Sequence, residues 1–218
     1  MILTGYNVRL ERLTHEKIEL VRQMRNMEKI VRHMEYREYI TPEMQEKWFR
    51  SIDNTENHYY IISSGEKEVG LINGCKVNWK KKETGSGGIF IWDDEVLRTE
   101  IPLAASLLLT DTSFYLGLER TYVKILRDNA AAISYNHNLG YELLPGQENS
   151  VNQEYVLTQE NYEAKTKKIK EIFHRKWGDR MTIIFDNPEH PVTRFLEEKI
   201  RALPEQVLAH LELITPGR

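Results

Sequence analysis

Apolar residues alternate with polar ones in several short runs and recur at three- and four-residue spacing in longer ones, and the two patterns take turns along the chain. Val8, Leu10 and Leu13 flank polar residues in a strand-like run, after which Thr14 opens a helix with Ile18, Val21 and Met24 on one side. A second helical stretch runs from Glu28 to about Met34. Thr41-Pro42-Glu43 is a start signal, an N-cap Thr with Pro at the first helical position, and Met44, Trp48, Phe49 and Ile52 then form one face. Tyr59–Ser63 and Val69–Trp79 predict two strands joined by the turn Ser64–Lys67, and a polar tip, Lys80–Gly85, leads into a strand Gly88–Trp92. These three make an antiparallel meander. A helix Pro102–Leu116, a strand Thr121–Leu126, a helix Asn129–Leu139 and a strand pair near Tyr141–Leu144 and Glu154–Leu157 complete an α/β pattern (α+β, mixed sheet).

Beyond about Thr158 the character changes. Gln159–Trp177 is a long charged helix whose Tyr162, Ile169, Ile172, Phe173 and Trp177 form one apolar stripe that something must cover. Met181–Phe185 predicts a strand, and Pro191–Leu203 an amphipathic helix built on Val192, Phe195, Leu196 and Ile200; Val207–Ile214 is open between helix and strand. The chain therefore divides into 1–158 and a folded C-terminal extension, 159–218, whose role is packing or dimer formation, or a lid over a substrate pocket.

Composition changes the picture mainly by exclusion. Lys+Arg number 30 against 33 Asp+Glu, so the whole-chain field has no strong sign and neither a nucleic acid nor a membrane surface is expected as partner. The single cysteine, Cys75, forbids an intramolecular disulfide and suits a reducing, cytoplasmic compartment; inside the run Val69–Val77 it reads as a small buried hydrophobe rather than a nucleophile. No window approaches 18 apolar residues and the N-terminus has no long apolar segment. The seven histidines show no metal-ligand spacing, so no metal is expected; His58, at a strand start beside Tyr59 and Tyr60, is the one worth watching.

The stretch from Gly87 to Tyr141 carries the functional information. It reads strand, acidic loop (Asp93-Asp94-Glu95), apolar helix, strand, Asn-headed helix and Gly140-Tyr141, at tight spacing. With Arg22–Asn26, Ile30–Met34, Trp48-Phe49, Glu68–Gly70, Leu116–Arg120, Asp128-Asn129, Ala132-Ile133 and Leu139–Tyr141, it resembles the GNAT acyl-CoA N-acyltransferases over about residues 6 to 158. The likeness is to the branch that includes ribosomal-protein and nucleotide-amino-sugar N-acetyltransferases. It implies a GNAT fold and acetyl-CoA as cosubstrate, bound where the parallel strands Gly88–Trp92 and Thr121–Leu126 splay apart, with an N–H near Ile91 or Trp92 polarising the thioester carbonyl. The pyrophosphate would lie at the N-terminus of the helix near Pro102. The acceptor is a small-molecule or peptide amine, an amino sugar on a nucleotide carrier ahead of a protein N-terminus, with Arg25, Asn26 and Trp48 in the wall of its site; a homodimer is compatible.

The sequence departs from that family where the phosphates would sit. The usual Gln/Arg-x-x-Gly-x-Gly/Ala becomes Leu97-Arg98-Thr99-Glu100-Ile101-Pro102: both glycines are lost, Glu100 adds a repelling carboxylate and Pro102 removes a donor. Arg98 and Thr99 compensate, or simply stand in solvent and cap the helix. Where the family places an acidic Tyr on the last core helix this chain has Asn136, with Tyr135 one residue early; an Asn donates a hydrogen bond but cannot supply a proton at neutral pH. Asn129 is expected as N-cap, as a coenzyme A contact, or as both. Ser86 and Gly87 occupy the place of the family's basic Glu, leaving Glu95 and its acidic neighbours as a base acting through water or as a solvated turn. These departures keep a second reading open, a GNAT fold that binds without catalysing.

Overall fold

The computed structural model describes residues 1–217, and its chain begins with a tight hairpin, β1 (Ile2–Gly5) and β2 (Val8–Arg12). Its two-residue loop, Tyr6-Asn7, has both φ angles positive, at 53° and 61°, as the right-handed twist of such a hairpin requires. The sequence shows only the second strand clearly, because Tyr-Asn lacks the glycine that marks these turns.

A short 3-10 turn (His15–Lys17) leads into α1 (Ile18–Arg25), then a single helical turn, α2 (Glu28–Val31), and α3 (Pro42–Ile52). Thr41 Oγ1 accepts from the Met44 N–H at 3.3 Å, so the expected N-cap forms. The face of α3 differs by one residue: Met44 is 41% exposed and Gln45 is buried instead, its amide donating to Ile18 O at 3.0 Å. Strands β3 (His58–Ser64), β4 (Lys67–Asn78) and β5 (Glu83–Ile91) form the meander. Strand β5 starts five residues before the predicted Gly88, because Glu83 and Thr84 gain pairing partners in the next parallel strand.

The remaining elements are α4 (Ile101–Tyr115), β6 (Arg120–Leu126), α5 (Ala130–Leu139), β7 (Glu142–Leu143), β8 (Asn152–Thr158), α6 (Gln159–Trp177), β9 (Met181–Ile184), α7 (Pro191–Arg201), α8 (Glu205–Leu208) and β10 (Leu211–Ile214). The Val207–Ile214 stretch thus holds the end of a helical turn and then a strand. All ten strands make one sheet in the order β10-β9-β1-β2-β3-β4-β5-β6-β8-β7, antiparallel except for β9–β10 and β5–β6. The mixed α/β architecture expected from the alternating periodicity is therefore present. Residues 159–217 extend the sheet beyond β1 and share its core.

Strand alternation divides the core between two faces. Tyr60 and Ile62 of β3 point toward α4, α6 and α7, while Ile61 and Tyr59 point toward α1 and α3 with Leu13, Leu71 and Trp92. Helix α4 lies between the sheet and α6, so Ala104, Ala105, Leu107 and Leu108 are fully buried; each leucine contributes about 1.5–3 kcal/mol of apolar burial. Helix α6 thereby finds the cover its stripe needs: Tyr162 and Phe173 are buried, Ile169 and Trp177 pack at the edge, but Ile172 is 47% exposed and falls outside the stripe. Among the described residues no helix is long and apolar enough to cross a membrane.

Candidate active site

Strands β5 and β6 pair only at Glu83–Arg120 and Thr84–Thr121, and beyond those two positions they diverge. Gly87 marks the point of separation, where a Cβ would stand 3.1 Å from Asn73 O on one side and 3.5 Å from Tyr122 O on the other. The opposite edge of β5 stays paired with β4 as far as Gly70–Ile91. Trp92 N–H donates to Val69 O at 2.9 Å, which fixes the phase of that ladder: the N–H groups of Thr84, Ser86, Gly88, Phe90 and Trp92 face β4. The N–H groups of Ile89 and Ile91 therefore face the opening, with no ladder partner across it. Of the two expected thioester donors, Ile91 has the required direction and Trp92 does not; Trp92 is instead buried, its indole N–H held by Glu68 O at 2.8 Å.

The loop after β5 is braced from the other face of the sheet. Lys29 of α2 donates to Trp92 O at 2.7 Å and pairs with Asp94 at 2.7 Å. Asp93 Oδ1 accepts the Glu95 N–H at 2.9 Å, closing the turn. Glu95 itself is 86% exposed and reaches Lys67 at 3.5 Å, on the β4 side of β5 and so away from the splay. Of the two readings of the acidic loop, base or solvated turn, this placement fits an ion-paired, solvated turn.

The α4 N-terminus is closed by side chains. Thr99 Oγ1 donates to Val96 O at 2.8 Å and accepts the Ile101 N–H at 3.2 Å, serving as the local cap. Pro102 has no N–H, and Ala104 N–H already bonds Glu100 O at 2.8 Å, which leaves Leu103 as the first-turn N–H without a partner among the described residues. Glu100 stands at the N-cap position and pairs with Lys176 of α6 at 2.9 Å; that bond, and then its own backbone N–H, hold its carboxyl below the usual range. Leu97 and Arg98 are exposed, and Arg98 makes no hydrogen bond or ion pair among the described residues, so it is a cation free to meet a ligand.

Helix α5 borders the opening from the β6 side. Asn129 Oδ1 caps it through the Ala132 N–H at 3.1 Å. Asn136 uses its side-chain amide on Ala132 O, one turn back, at 2.8 Å. Tyr135 reaches across to α4, donating to Pro102 O at 2.9 Å and lying 2.7 Å from Ser106 Oγ; burial pushes its hydroxyl above the ordinary tyrosine range. That proton is committed to a carbonyl, which argues against Tyr135 turning inward as an acid.

The residues expected in the acceptor wall act as braces. Asn26 clamps Ile40 by two bonds, its amide to Ile40 O and its carbonyl from Ile40 N, both 2.9 Å, and Arg25 holds Tyr36 O at 2.9 Å. They shape the connection between α2 and α3, on which Tyr36 and Tyr39 are exposed. Trp48 packs edge-on against Tyr59 at 5.1 Å on the α1–α3 face. Cys75 is buried. No group of three His, Cys, Asp or Glu residues is placed to hold a metal ion among the described residues. Sequence reasoning missed Lys29, Ser106 and Lys176, for which the only signal is the basic last turn of α6.

A parallel pair that opens after two residues, followed by a helix on each side of the gap, is compared most directly with solved structures. A nucleotide-linked sugar GNAT, FdhC in its apo form, superposes with a TM-score of 0.64 over 78% of this chain and 96% of its own, at 18% identity. The ribosomal-protein α-N-acetyltransferase RimL, solved with coenzyme A, gives 0.61 over 72% and 98%, at 14% identity. The spermidine N-acetyltransferase of Vibrio cholerae, with coenzyme A and spermine, gives 0.60 over 72% and 99%, at 15% identity. The fold is the GNAT fold. No protein-family model matches the chain, and no curated protein matches it in sequence. The GNAT likeness covers nearly the whole of each of those three structures and leaves about a quarter of this chain beyond it.

Proposed function

We propose that this chain transfers an acyl group, most simply acetyl, from its coenzyme A thioester to a primary amine. The observation that carries the reading is the divergence of β5 from β6, which leaves the Ile89 and Ile91 N–H groups directed into the opening. Backbone donors in such a slot pair with the amides of a pantetheine arm and stabilise the oxyanion as the amine attacks the thioester carbon. The tetrahedral intermediate then expels the thiolate, and the amine's proton leaves to solvent; Asn136 keeps a second amide hydrogen available for the departing sulfur. Arg98 and the Leu103 N–H are the groups proposed to meet the pyrophosphate. An amino sugar on a nucleotide carrier is the preferred acceptor, supported by the exposed Tyr36 and Tyr39 above the arginine-braced loop and by the likeness to FdhC; a protein N-terminus is second.

A specific observation favours the alternative, binding without turnover. The anion position at the α4 N-terminus carries a carboxylate of its own, Glu100, neutralised from within by Lys176. Calorimetric titration with acetyl-CoA and with free coenzyme A, followed by thiol release with a panel of amines, separates the two. Binding on the order of micromolar with release of thiol supports transfer; binding without release for any amine supports the binding protein; no binding at millimolar ligand removes both.

A further inference from the structure

One cavity lies at neither the strand splay nor the α4 N-terminus. It has a volume of about 280 Å³ and sits where the β1–β2 turn and α4 meet three elements of the extension, α6, β9 and the start of β10. Its floor is built: Asp111 is 3% exposed and accepts from Tyr6 Oη at 2.9 Å, Tyr162 Oη at 2.9 Å and Lys170 Nζ at 2.7 Å. His174 stacks on Tyr6, with Nε2 3.2 Å from its hydroxyl. At the rim His210 faces Asp179 at 3.6 Å, and Arg180 makes no hydrogen bond or ion pair among the described residues.

The polar groups left over describe a ligand. Among the described residues Lys170 uses one of its three N–H donors, Arg180 none of its five, and the half-buried Tyr115 hydroxyl has no partner, so the cavity offers a surplus of donors to an acceptor with more than one oxygen. Asp111 Oδ2 accepts only from Tyr6, and Asp179 is 64% exposed, so carboxylate oxygens remain for a donor. Apart from its two imidazoles the lining carries two cations, Lys170 and Arg180, and two anions, Asp111 and Asp179. A phosphate dianion would meet both carboxylates. A simple amine would meet both cations. A molecule bearing one charge of each sign meets neither objection, and the volume, near the lower end of the roughly 300–1,000 Å³ of small-molecule pockets, suits one of metabolite size.

We infer that this cavity binds a free α-amino acid as its zwitterion, the carboxylate toward Lys170, Arg180 and Tyr115 and the ammonium toward Asp111 and Asp179. Its place at the seam makes such a ligand a clamp between the extension and α4. The inference does not depend on acyl transfer.

The test is a thermal-shift screen of the full chain against the twenty common amino acids, each at about 10 mM, with calorimetry on any that raises the melting temperature. The primary amide and the deamino acid of each hit are then compared with it. Expected is a hit whose affinity falls about tenfold or more on loss of either charged group, and likewise in Arg180→Ala and Asp179→Asn. Both positions are exposed, so these variants keep the wild-type melting temperature without ligand. The inference is overturned by a screen with no hit, by a deamino acid that binds as well as the amino acid, or by binding that neither variant changes.

Discussion

Replacing Asp111 by Ala tests how the extension is held to α4. The side chain accepts three hydrogen bonds, two of them from Tyr162 and Lys170 of α6. Burial first, and then the Asp111 charge, pushes the Tyr6 and Tyr162 hydroxyls well above the ordinary range, so both remain donors throughout neutral pH. Alanine takes that acceptor from two tyrosine hydroxyls, which keep Leu107 O at 3.3 Å and His174 Nε2 at 3.2 Å, and leaves the Lys170 ammonium without its own. Breaking a buried ion pair costs about 3–5 kcal/mol, and Lys170, at 21% exposed, recovers part of that by reaching water; about 3 kcal/mol remains. Against a total of about 5–15 kcal/mol this is a large fraction. Urea unfolding at pH 7 reads it as a lower midpoint at similar slope. The double variant Asp111→Leu with Lys170→Met removes both charges and keeps apolar volume, so it is expected to regain at least 1 kcal/mol over Asp111→Ala. A loss below about 1 kcal/mol in Asp111→Ala refutes the ion-pair account, and a double variant no better than the single one shifts the cost to the tyrosine hydroxyls.

Tyr135→Phe should cost about 1 kcal/mol of stability, from the lost bond to Pro102 O, while changing kcat less than about tenfold once an acceptor is known; a fall of 100-fold or more would restore Tyr135 as the acid. Gly140→Ala should cost roughly 1–3 kcal/mol from backbone strain alone, since φ is +102° and the new Cβ would lie 2.8 Å from Asn161 O; an unchanged melting temperature would contradict it. His58 is buried, and burial, then Arg12, lowers its pKa to about 4. The unfolded chain therefore binds the extra proton between about pH 6.5 and 4, so stability is full above that window and falls through it by up to about 3 kcal/mol. His58→Gln should lose less between pH 7 and 4.5 in urea titrations, and equal losses would refute the assignment. Glu100→Gln should tighten coenzyme A binding by roughly tenfold in calorimetry, through relief of like-charge repulsion; no change would place the phosphates elsewhere.

Elements with strong local periodicity were legible in the sequence: the meander strands, α4, α5 and the capped start of α3 all lie within a few residues of where the pattern puts them. Features set by distant partners were not. The first strand, β1, is four residues long, and only its pairing with β2 and β9 makes it a strand. The early start of β5 depends on Arg120 and Thr121, more than thirty residues on. At the site, Asn129 as cap follows from local rules, whereas the phase that turns the Ile91 N–H to the opening and the Trp92 N–H away from it is set by Val69 across the ladder. The exposure of Glu95 and the hydrogen-bond partners of Tyr135 were not legible, because residue type and order show neither.

The extension and the site are parts of one device. Helix α6 runs along α4 from the Phe114–Tyr162 contact, with ring centroids 5.4 Å apart, to the Lys176–Glu100 ion pair at the α4 N-terminus. The Glu100 carboxylate at that helix end has its compensating cation in Lys176 of α6. The same helix supplies Lys170 to the buried Asp111 midway along. Loss of α6 would therefore expose the apolar surface of α4 and also leave an uncompensated carboxylate at its N-terminus, so α6 serves α4 in packing and in charge together.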